Sequence, residues 1–249
     1  MIGRALMLVA LLLSAPAARA EGLVSTLSDE AVEINSSFAG SRIVVFGAVE
    51  GAPPAASDYE VAVVVAGPPQ DLVARRKSRL FGIWANRDSR EFDDVPSYYV
   101  VHFSENLSRE ASMERLEQFR LGIRNLPFVQ EVAASRASTD FADAVLRLKE
   151  ARGLYVERPA AVEFLSPQVF RTTFFLPANV PTGEYRIAVY LFRNEAFLAG
   201  QTQTLVVEKS GLNDQIAQFS EDQPLVYGLV TVVLALFTGW LAGVIFRRP

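Results

Sequence analysis

Six cations fall within a single stretch of the chain, RRKSRLFGIWANRDSREF: Arg75, Arg76, Lys77, Arg79, Arg87 and Arg90. Asp71 and Asp88 are the acids between positions 71 and 90. Clustered guanidinium groups suit sulfate, phosphate or carboxylate, because each planar fork donates two parallel hydrogen bonds. Strand alternation would place Arg75, Lys77 and Arg79 on one face, with Arg76, Ser78 and Leu80 on the other. Gly82 would permit a bulge or a close backbone approach just before Trp84, which is either a core residue or an exposed anchor. Three uses stay open. Arg75, Arg76, Lys77, Arg79, Trp84 and Arg87 could form a ligand or partner surface. The Arg75–Arg90 cluster could bind a small anion. Or the run is a charged edge strand that resists aggregation.

Other chemistries find few residues. The chain has no cysteine and one histidine, which removes thiol redox chemistry, cysteine nucleophiles and thiolate metal sites. A copper or zinc carrier would need several soft or imidazole ligands, so neither a metal nor a cofactor is expected. His102 has Ser104 two residues away on the same strand face, a placement that rarely makes a nucleophile–base pair; His102 is read as packed in or beside a sheet. Glu91, Asp93 and Asp94 lack the spacing of a calcium loop and are read as balancing the arginines. No paired-carboxylate motif, phosphate loop or nucleophile elbow appears, so the chain reads as non-enzymatic. A last candidate lies near the C-terminus. Ala235, Gly239 and Gly243 repeat every four residues, a helix-packing face that would let a neighbouring membrane helix approach closely, from another copy or from a polytopic protein.

The elements that must carry these residues begin with the two ends. Residues 1–20 read as a signal peptide: Arg4, an apolar run from Ala5 to Leu13, then Ala18-Arg19-Ala20 before Glu21. Leu225–Phe246 is uncharged and long enough to span a bilayer. Arg247 and Arg248 follow it, which places the 247–249 tail in the cytoplasm and the bulk of the chain outside. The expected location is the inner (cytoplasmic) membrane, single-pass, with the ectodomain in the periplasm. Setting aside Arg4, Arg19, Arg247 and Arg248 leaves 20 basic against 28 acidic residues, a formal charge of −8 that argues against a nucleic-acid partner.

Between the ends the chain reads as mainly β with a helical insertion. Strand runs are Arg42–Glu50, Tyr59–Gly67, Ser97–Phe103, Val169–Pro177, Arg186–Phe192 and Gln201–Ser210. At about 108–153 the period shifts toward 3.6. A helix capped by Ser108 would carry Met113, Leu116, Phe119 and Ile123 until Pro127 interrupts it. A second, capped by Thr139 or Asp140, would carry Phe141, Val145 and Leu148 on one face and stop at Gly153. Pro181-Thr182-Gly183-Glu184-Tyr185 suggests a tyrosine corner. The expected ectodomain, 21–210, is therefore an immunoglobulin-like β-sandwich, joined by a 211–224 stalk to a single C-terminal transmembrane helix.

The segments VSTLSDEAVEINSSFAGSRIVVFGAVE and RRKSRLFGIWANRDSREFDDVPSYYV, with the single C-terminal span, resemble a family of putative transmembrane proteins of uncharacterised function, described mainly in alphaproteobacteria. The resemblance implies an envelope location and supplies no reaction to carry over. Through the permeases resembling sulfite exporters that accompany such proteins, it implies an accessory role. The function expected is a non-enzymatic, membrane-anchored periplasmic interaction module, accessory to a polytopic membrane protein such as a transporter; the alternative is an anion-binding or sensing domain that uses the Arg75–Arg90 cluster.

Overall fold

The computed structural model describes residues 21–35, 37–51, 58–80, 83–110, 113–131, 136–194, 196–210 and 219–245. The expected signal, most of the stalk and the 247–249 tail lie outside these residues.

The apolar, β-branched runs form strands. In chain order these are β1 (Gly22–Leu27), β2 (Ala31–Ile34), β3 (Ser41–Glu50), β4 (Tyr59–Ala66), β5 (Pro69–Leu80), β6 (Ile83–Pro96) and β7 (Tyr99–Ser104). After the helical segment come β8 (Tyr155–Ser166), β9 (Val169–Leu176), β10 (Gly183–Arg193) and β11 (Ala196–Lys209). Nine of them hydrogen-bond in one order, β1-β3-β9-β8-β7-β4-β10-β11-β2, while β5 and β6 form a separate hairpin. The chain is thus mainly β, as expected. The nine strands form one curled sheet, a coarser description than the immunoglobulin-like sandwich.

The curl has a local cause in β8, a strand with no counterpart among the expected runs. Its first residues pair parallel with β7, as in Tyr99↔Tyr155 and His102↔Arg158. Its last residues pair antiparallel with β9, as in Glu163↔Arg171. Between them Pro159 has no N–H to give the ladder, and Ala160 takes a left-handed φ of 55°. One strand therefore serves both halves of the sheet. The two ends meet across β1 and β11: the Ser25 N–H donates to Gln201 Oε1 at 2.6 Å, and Gln203 Nε2 donates to Ser25 Oγ at 3.1 Å.

Burial follows each strand's surroundings. On β9 every second residue faces inward: Phe170, Thr172, Phe174 and Leu176 are buried. Gly47 on β3 stands opposite Phe170, where an added methyl would sit inside the ring. On β4 alternation is lost, and every residue from Tyr59 to Val65 is buried, because both faces are covered. Tyr185 is fully buried, and its hydroxyl donates back to Pro181 O at 2.5 Å, the tyrosine corner expected from the Pro-x-Gly-x-Tyr run.

Parallel pairing of β7 with β8 requires a crossover. The helical segment supplies it, and it departs in part from the two expected helices. Where the first was expected lie α1 (Glu105–Glu110), α2 (Met113–Gln118) and a 3₁₀ turn at Ile123–Asn125. Arg120 takes a left-handed φ of 52° after α2, which ends the helical path there. Pro127 interrupts nothing; it opens α3 (Pro127–Gln130), where its missing N–H costs no hydrogen bond. The second long helix, α4 (Arg136–Ala151), begins before Thr139 and Asp140. Its buried face is Ala142, Val145, Leu146 and Lys149, and Leu148 points outward. Gly153 lies just past its end at φ 69°, in the left-handed region suited to a helix stop.

The crossover is tied to the sheet by charge and by rings. Arg115 on α2 donates to Glu60 on β4 at 2.9 Å, with both residues buried. Phe119 meets Phe192 of β10 edge-to-face, at 5.2 Å between centroids. At the other end of the chain, α5 (Pro224–Ile245) is 22 residues with a mean hydropathy of 2.2 in its most apolar window. None of its residues is buried.

Candidate functional site

The basic run lies in an antiparallel hairpin whose base belongs to the core. Phe92 and Val95 on β6 are buried, and Phe92 meets Phe128 of α3 edge-to-face at 5.7 Å. Further out, Arg75, Arg76, Lys77, Asp88 and Arg90 are exposed. The ladder shifts register between Arg76↔Asp88 and Lys77↔Asn86, so Arg87 is the extra residue of a bulge in β6. A second shift falls between Gln70 and Leu72, and Gly82, where a bulge was expected, lies outside the described residues.

Helix α4 approaches β5 from one side. Arg76 makes the join: its Nη2 donates to Asp140 Oδ2 at 3.0 Å, and its guanidinium lies 4.8 Å above the centre of the Phe141 ring. Arg75 and Lys77 lie one residue to either side of it on β5. A groove of about 760 Å³ runs between hairpin and helix. β5 contributes Arg75, Arg76 and Lys77 to it, and Arg147, Lys149 and Arg152 come from the α4 side. Asp140 and Asp143 are the carboxylates in the lining. Both are engaged, Asp140 by Arg76 and Asp143 by Arg124 at 3.3 Å. Among the described residues, Arg75, Lys77, Arg147 and Arg152 have no ion-pair partner. Val73, 49 % exposed, and Leu148, 58 % exposed, add apolar surface to the same groove.

Lys149 differs from the other cations. It is buried, its Nζ donates to Ser97 O at 3.0 Å, and it lies 5.5 Å from the centre of the Tyr155 ring. Burial, with Arg152 nearby, lowers its pKa to about 8. It serves as an internal brace between α4 and the sheet more than as a free charge.

The sequence-derived candidates thus separate. Arg75, Arg76 and Lys77 come together with α4 residues. Arg79 is exposed and lies farther along the hairpin, opposite Trp84 in the ladder, and is not in the groove lining. The side chains of Trp84 and Arg87 lie outside what the structure describes. Ala235, Gly239 and Gly243 fall on one side of α5, where a methyl added at either glycine would meet nothing within 4 Å. Arg147, Lys149 and Arg152 are new to the site. Their sequence context, RLKEARG, is mixed in sign and reads as an ordinary solvated helix face. His102 and Ser104 are both buried on β7 but serve different partners: Ser104 Oγ accepts from the Val61 N–H at 3.0 Å, and His102 Nδ1 lies 2.7 Å from Thr172 Oγ1.

A family model described as "Putative transmembrane protein (Alph_Pro_TM)" matches residues 22–248, which takes in the sheet, the hairpin, the crossover and the span. The chain belongs to this family. No curated protein matches it. Membership in the Alph_Pro_TM family agrees with α5 as a candidate membrane span and brings no reaction with it.

Proposed function

We propose that this chain is a non-enzymatic interaction module of the cell envelope, held in the inner membrane by α5. Its β-rich part lies in the periplasm, and its C-terminus is cytoplasmic. The groove between β5 and α4 docks an acidic segment of a polytopic membrane protein, such as a transporter. One observation carries the reading: unpaired cations from distant parts of an acidic chain converge on one groove that also exposes Val73 and Leu148. Cations steer and select an acidic partner, and the exposed apolar side chains supply surface to bury. Association through one face of α5 would add to the contact by holding the partner in the same membrane.

A photocrosslinker at Val73 or Leu148 in native membranes tests this. A polytopic partner should be captured, and Arg75→Glu with Arg147→Glu should remove the crosslink. Lysine replacements of acids in the partner segment should restore it. Crosslinking that ignores charge reversal on both sides would sink the docking model. Loss of the native crosslink on adding millimolar phosphate or sulfate at constant ionic strength would instead favour the groove as an anion site.

A further inference from the structure

A second basic cleft lies away from the groove, on the sheet itself. It has a volume of about 630 Å³, and β3, β7, β8 and β9 all contribute to it. Arg42 comes from β3 and Arg158 from β8; Tyr98, His102, Thr173 and Phe175 form walls. Arg42 pairs with Phe175 across the β3–β9 ladder, and Thr173 and Phe175 lie on the exposed side of β9. Arg158 precedes the Pro159-Ala160 bend, where β8 leaves β7 for β9, and it lines the same cleft as Arg42.

No carboxylate among the described residues lines this cleft. Neither Arg42 nor Arg158 has an ion-pair partner among the described residues. Arg158 acts electrostatically on both Tyr98 and His102, which places its guanidinium at the cleft. The histidine adds no charge. Thr172 Oγ1 donates its proton to Ala161 O at 2.8 Å, so the 2.7 Å contact from His102 must be Nδ1–H donating to Thr172. That leaves Nε2 as an unprotonated acceptor. Burial, then Arg158, lowers the pKa of His102 to about 4, so the ring is neutral beside the cations.

We propose that this cleft binds a small phosphate- or sulfate-like oxyanion, clamped between Arg42 and Arg158 with the Thr173 hydroxyl as a further donor. Two guanidinium forks suit a tetrahedral oxyanion, and among the described residues no carboxylate in the cleft opposes their charge. The same chemistry would accept free anion or the phosphate of a lipid headgroup.

His102 is the chain's sole histidine, so its imidazole resonance is a unique reporter inside the cleft. The full chain, labelled and held in dodecyl maltoside micelles, which carry no phosphate, would be titrated with inorganic phosphate and with sulfate. A second arm adds phosphatidylglycerol to the micelles and no free anion. The proposal expects a saturable His102 shift in at least one arm, and which arm responds identifies the source. Arg42→Gln and Arg158→Gln should each weaken the response about tenfold or more. Arg75→Gln with Lys77→Gln should leave it unchanged. Both arginines are exposed, so their replacement leaves the core intact, and native backbone amide resonances in β10 and β11, away from the cleft, would verify this in each variant. No saturable shift in either arm, or a shift that survives both cleft replacements, overturns the proposal.

Discussion

Two arginine–carboxylate pairs hold inserted segments in place, and they differ in little except their surroundings. Arg115 and Glu60 meet at 2.9 Å with side chains 10 % and 6 % exposed. Arg76 and Asp140 meet at 3.0 Å with side chains 46 % and 64 % exposed. The first fastens the helical crossover to β4 inside the protein, and the second clips the hairpin to α4 at the surface. Near-identical geometry therefore carries different energetic weight. Water and salt already screen the outer pair, whereas loss of one inner partner strands a charge where water cannot reach it. The inner pair specifies the fold, and the outer pair positions a groove that is free to adjust.

The largest effect should come from breaking the inner pair. Arg115→Met alone should cost about 3–5 kcal/mol, because Glu60 is left buried and uncompensated. Adding Glu60→Met should recover much of that loss, measured by urea unfolding of the full chain in detergent. If the single and double variants unfold together, burial does not set the value of this pair.

Next in size is a buried group that carries no charge. His102 has its pKa lowered to about 4 by burial first and Arg158 second. Its unfolded value is about 6.5. Between these values the unfolded chain binds the proton and the folded chain does not. The contribution is complete above about pH 6.5 and is lost as pH falls toward 4, amounting to about 3 kcal/mol. His102→Gln should flatten stability across that window, and an unchanged acid limb would refute the assignment.

Tyr185→Phe removes the hydroxyl that satisfies Pro181 O at the buried corner. A loss of about 0.5–1.5 kcal/mol is expected, visible as a lower midpoint with an unchanged denaturant slope. The smallest effect should be at the outer pair. Asp140→Asn should cost about 0.2–1 kcal/mol globally, less at high salt, while amide exchange in β5 speeds up more than exchange in β4. A global loss as large as that of Arg115→Met would erase the distinction between the two pairs.

The sequence made some of these elements readable and hid others for physical reasons. Arg42–Glu50 and Tyr59–Gly67 are legible because uniform or alternating β-branched runs fit few other local structures. Tyr185 is legible because its turn and its hydrogen bond lie within five residues. β8 escapes because Glu157, Arg158, Pro159 and Glu163 make it polar and interrupted; it is a strand only because β7 and β9 lie on either side. Leu148 is misplaced by pattern alone, since positions 145 and 148 satisfy a helical period while packing selects 142, 145, 146 and 149. The basic hairpin could be seen, but its groove could not: Arg147 and Arg152 are some seventy residues from Arg75, beyond any local pattern.

By itself the sequence determined what depends on composition and neighbours along the chain: a mainly β part, a tyrosine corner, one apolar helix long enough to span, and no cysteine chemistry. The tertiary structure decided what depends on distant segments meeting. It curled nine strands into one sheet around the bend in β8, buried Glu60 with Arg115, and set Arg76 on Phe141. It gathered cations into two separate clefts. Contacts of that kind are chosen by shape and burial across the whole chain, and neither leaves a periodic trace in the local order of residues.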